Sequence, residues 1–138
     1  MTQWLWPANQ AGILVTAAVA IAQPILIESV PAGPDDDPHG YILIFSLVST
    51  VGVLAIAVVA HALLLERMKA GMATALGAAA CCAAVAYLGE GLLPGSSHLI
   101  LIAIELLPAA LAILGLYVAQ PPPPKPALAD PQYPTESP

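Results

Sequence analysis

The sequence predicts an all-α, polytopic membrane protein: four transmembrane helices in an antiparallel bundle, with both termini cytoplasmic. Three observations predict it. The 138-residue chain is 59% hydrophobic and only 9% charged, whereas a soluble domain carries charge on about a quarter of its residues. The apolar residues gather in four long runs, with Pro, Gly and acidic residues between them. Arg67 and Lys69 stand in the connection between the second and third runs, and Lys125 stands beyond the fourth. An even number of spans puts all three on one side, which the positive-inside rule makes cytoplasmic.

The membrane domain is expected over residues 1–120, with helices at 11–30, 41–65, 70–93 and 98–119. Trp4 and Trp6 precede the first helix and suit the inner membrane interface, where an indole is half buried and its N–H stays wet. The run from Ala11 to Val30 contains Gln23, Pro24 and Glu28. Pro24 removes a backbone hydrogen bond and is expected to kink the helix. No Lys or Arg precedes this run, and it exceeds a signal-peptide core, so it reads as a span and not a cleaved leader.

Pro31 to Gly40, PAGPDDDPHG, reads as an acidic outer loop, because three consecutive aspartates will not enter lipid. The second run, Tyr41 to Leu65, meets no charge until Glu66, and the third, Ala70 to Leu93, meets none until Glu90. Each can cross about 30 Å of hydrocarbon. Small residues from Ala70 through Gly77 to Ala84 favour close helix approach, so the third helix is expected at the centre of the bundle. Pro94-Gly95-Ser96-Ser97 reads as a tight turn in which Ser96 or Ser97 caps the fourth helix. That helix, His98 to Ala119, carries Glu105 and Pro108 and ends before Pro121 to Pro124. Tyr41 and Tyr87 match the outer interface and Tyr117 the inner one. Short connections make the last three helices sequential antiparallel neighbours. Residues 121–138 read as a proline-rich, disordered cytoplasmic tail acting as a spacer.

Several function classes drop out. Three basic residues leave no electrostatic footprint for nucleic acid. The net charge of −6 belongs to the loops and the tail rather than to an acidic fold. The chain contains no phosphate loop, nucleophile elbow or HExxH motif, so a non-enzyme without a cofactor is expected. Cys81 and Cys82 have too few companions for a disulfide framework or a zinc site. Carriage of a soft metal would need both thiols to face one partner, yet adjacent helix positions point about 100° apart. Packing is the simpler role. His61 near the inner end is too far in depth from His39 and His98 for a shared haem, and reads as a helix-end histidine.

The ionisable residues of the outer half are the candidate site. Glu28, Glu90, Glu105, His39 and His98 offer carboxylate and imidazole ligands for a proton or divalent cation entering from outside. At the headgroups Glu28, His39, Glu90 and His98 would cost little and need no function. Glu105 lies deeper, about 12 Å into the fourth helix, and shares a face with His98 seven residues before it. It should face the third helix or a partner chain and not lipid. Pro108 donates no N–H, so the carbonyl of Ile104 is left as a nearby acceptor.

These features suggest a non-catalytic accessory or structural subunit of a larger complex in the cell membrane. Its partners would be the bilayer and either unlike membrane subunits or a second copy. The alternative is a small oligomeric transporter, or an ion- or proton-conducting protein, working through Glu105 and the outer carboxylates.

Overall fold

The computed structural model describes residues 3–29, 41–90 and 92–118, and the regular elements among them are all α-helices. They are α1 (Leu5–Glu28), α2 (Tyr41–Leu65), α3 (Lys69–Leu88) and α4 (Ser97–Val118). At 1.5 Å per residue they run about 30–38 Å, and each is long and apolar enough to cross a bilayer. The Asp35-Asp36-Asp37 loop, His39, Lys125 and the 121–138 tail lie outside the described residues.

α1 begins six residues before the predicted Ala11. Pro7 falls in the first helical turn, where backbone N–H groups have no partner within the helix and its missing donor costs nothing. Asn9 and Gln10 look polar in sequence, yet they continue the helix. The two tryptophans part company: Trp4 is exposed, and Trp6 is buried in the core. α1 continues through Pro24 to Glu28.

α2 ends in a turn built by two backbone bonds, from the N–H of Arg67 to Leu64 and from that of Met68 to Leu63. This is the pattern of a Schellman cap, with Arg67 at φ 54° where glycine is usual. α3 ends at Leu88 and not at Leu93. Gly89 caps it, and the N–H groups of Leu92 and Leu93 both return to the Gly89 carbonyl. Glycine weakens helix continuation, and Leu93 precedes a proline, which disfavours helical geometry there. Leu93 instead folds inward and is buried beside Leu101. The cap expected from Ser96 or Ser97 takes a different form, because the Ser97 hydroxyl donates back to the Pro94 carbonyl at 2.6 Å.

α1 and α3 touch each other, and each also packs against both α2 and α4. No packed contact joins α2 to α4 among the described residues. α3 is the most buried helix, as its small residues predict, and α2 is the least. Two apolar clusters form the core. One holds Leu5, Trp6, Ile13, Leu64, Met72 and Ala112 among others, and the second holds Val19, Val53, Cys82, Leu93 and Leu101. Large apolar side chains such as Val48, Val58, Leu106 and Leu107 point outward, as lipid-facing residues do.

A buried polar seam as the candidate functional site

Burial of polar side chains is costly in a bundle surrounded by lipid, so each buried polar group calls for a partner. Five are buried among the described residues: Asn9, Thr16 and Gln23 on α1, Ser46 on α2 and Glu105 on α4. The three on α1 are seven residues apart. Two helical turns separate successive members, so all three share one face. That face looks toward α3 and α4.

Each member of the series reaches a different place. The Asn9 amide donates to its own helix at Leu5 (2.9 Å) and across to the Leu111 carbonyl of α4 (3.2 Å). The Thr16 hydroxyl donates to Oε2 of Glu105 at 2.7 Å. The Gln23 amide donates to the Cys82 carbonyl at 3.0 Å and lies 3.4 Å from its sulfur. The Cys82 thiol donates to the Thr16 carbonyl at 3.9 Å. Thr16, Glu105 and Cys82 therefore form one polar knot joining α1, α3 and α4.

Close packing makes room for the seam. A Cβ added at Gly12 would sit 3.1 Å from the Pro108 Cβ, so α1 and α4 meet closely between the Asn9 and Thr16 contacts. A Cβ at Gly115 would fall 2.5 Å from the Met72 sulfur and 3.1 Å from the Asn9 amide nitrogen. Gly115 thus keeps open the space in which Asn9 crosses to α4.

Glu105 is 2% exposed. It was expected to face the third helix or a partner chain. It does lie beside Cys82 of α3, but its strongest contact is to α1, through Thr16. Its second oxygen, Oε1, is buried and has no hydrogen-bond partner. No Lys or Arg is paired with it among the described residues.

The other predicted residues lie elsewhere. Glu90 follows α3 and His98 begins α4, and the two face each other with Nε2 and Oε1 3.9 Å apart. The His98 side chain is mostly buried, with Nδ1 unpartnered, while Glu90 is open to solvent. Glu28 ends α1 and is exposed. Among the described residues, no group of three or more His, Cys, Asp or Glu side chains is placed to hold a metal ion. Cys81 is exposed and Cys82 buried, diverging as adjacent helix positions must. His61 is half-buried on α2, with Nδ1 unpartnered, beside an open apolar groove of about 220 Å³ between α1 and α2.

Asn9 and Thr16 were not anticipated as site residues. Their signal was the seven-residue spacing with Gln23, which marks one helix face.

The fold is that of a helical protein with four candidate membrane spans, as a multi-pass membrane protein has, and a polar seam runs through its apolar core. Comparison with family models, curated proteins and solved structures finds no match to this chain.

Proposed function

We propose that this chain is a non-catalytic subunit of a larger assembly in the cell membrane, an antiparallel four-helix bundle that docks on another transmembrane helix through α3. The outward face of α3 carries the reading. Ala70, Ala73, Gly77, Ala80 and Ala84 follow one another along it at helical spacing, exposed or half-exposed, with Cys81 beside them. A Cβ on Gly77 would meet nothing within 4 Å. Such a face offers lipid little surface, but it lets another helix approach closely. α2 differs, presenting bulky Val48, Val51 and Val58 outward.

Contacts between α1 and α4 run in reverse order, from Asn9–Leu111 through Gly12–Pro108 to Thr16–Glu105. This supports the antiparallel arrangement. Arg67 and Lys69 beside the α2–α3 turn support cytoplasmic placement of that turn, and with four spans of both termini. The seam supports a structural interior. In lipid, where burial of apolar surface does little to join helices, interhelical hydrogen bonds and close contacts hold them in register.

Gentle extraction from native membranes tests the docking. Unlike membrane subunits should co-purify with the wild-type chain and be lost from an Ala73→Leu, Gly77→Leu variant that keeps its helix content. A chain that purifies alone, or as copies of itself only, contradicts the subunit reading.

A further inference from the structure

We propose that Glu105 is an intramembrane proton-binding site, a carboxyl that releases and regains one proton inside the bundle. The inference is independent of docking through α3, because Glu105 faces the interior of a single copy.

The geometry points to it in three ways. Glu105 is 2% exposed between the two apolar clusters, with Ile13 and Ala112 in one, Val19 and Leu101 in the other. A carboxylate buried in apolar surroundings needs a countercharge or a proton, and no basic side chain is paired with it among the described residues. Its two oxygens are also inequivalent. Oε2 accepts the Thr16 hydroxyl hydrogen, while Oε1 is buried and unpartnered. Ionisation would leave Oε1 as a buried charged oxygen without a donor, which disfavours the anion relative to the neutral acid. Finally, the surroundings can hold the ionised form. Thr16 carries a hydrogen that a carboxylate can accept, and it already points at Oε2.

The exchange balances simply. The Oε1–H bond breaks, its electron pair stays on the carboxylate, and the proton passes to a water molecule. The anion is then held by the Thr16 hydroxyl, and the reverse step restores the acid. Of the helices packed on α4, α1 presents Thr16, which does not titrate in this range, and α3 presents Cys82. On α4 itself His98 stands two turns away toward the Ser97 end, paired with Glu90.

Infrared difference spectroscopy on the full chain in lipid vesicles tests the proposal. The carbonyl band of a protonated buried carboxyl should be present at acidic pH and lost at alkaline pH, while helix content stays constant. It should be absent from Glu105→Gln at every pH. Should the Gln variant fail to fold, Glu105→Asp serves instead, since it moves the band without removing it. A Glu105 band that persists unchanged across the range would mark a permanently neutral structural group and overturn the proposal. So would the absence of any such band at acidic pH.

Discussion

The hydroxyl of Thr16 meets Oε2 of Glu105 at 2.7 Å, across the boundary between α1 and α4. The two residues are 89 positions apart in the chain. Their bond gives a buried carboxyl a donor and gives two helices a shared register. Thr16→Val keeps the shape of the side chain and removes the donor. We expect a loss of about 1 kcal/mol, in the range measured for interhelical hydrogen bonds in membranes. Reversible unfolding in mixed micelles reads it. A double-mutant cycle with Glu105→Leu should return a coupling of similar size, and zero coupling would show that the contact contributes nothing.

Gly115 separates α4 from Met72 and from the Asn9 amide. Gly115→Val should cost about 1–3 kcal/mol, as overpacking of a filled interior does. Met72→Ala should restore part of that loss by freeing the space. Gly52 provides the control: a Cβ there meets nothing within 4 Å, so Gly52→Ala should leave stability unharmed. Equal effects at Gly52 and Gly115 would contradict the packing described.

Gln23 covers Cys82 from the α1 side, bonding its carbonyl and lying against its sulfur. In detergent solution a small thiol reagent should therefore modify Cys81 and spare Cys82. Gln23→Ala should open Cys82 as well, and intact mass counts the adducts. Two adducts on the wild-type chain would show that the seam does not protect its interior.

Topology has its own test. With Cys81 and Cys82 replaced by alanine, Lys69→Cys should react with an impermeant reagent from the cytoplasmic side and Ser96→Cys from the opposite side. Reaction of both from one side would break the four-span arrangement.

The helices were legible in the sequence because lipid demands long uninterrupted apolar runs, and few residues here interrupt them. Their ends were less legible. Asn9 and Gln10 made the start of α1 look like a polar lead-in, whereas the inward turn of Asn9 supplies its amide with two carbonyl partners. At the end of α3, Gly89 and the proline after Leu93 outweighed an apolar run that continued past them. The depth of Glu105 followed from its position along the fourth apolar run, and its avoidance of lipid from charge cost. Its partner did not, because nothing local to Thr16 names the helix that will lie across from it. The seven-residue spacing of Asn9, Thr16 and Gln23 identifies the face, and only packing decides what that face meets.

Cross-linking at Cys81 in native membranes tests the central claim most directly, because this thiol lies on the small-residue face of α3 and is exposed. A short membrane-permeant bifunctional thiol reagent should join Cys81 to a transmembrane segment of an unlike protein. The adduct should disappear in Cys81→Ala and in the Ala73→Leu, Gly77→Leu variant. Adducts only between copies of this chain, or no adduct from any membrane in which the chain is folded, would contradict docking through α3.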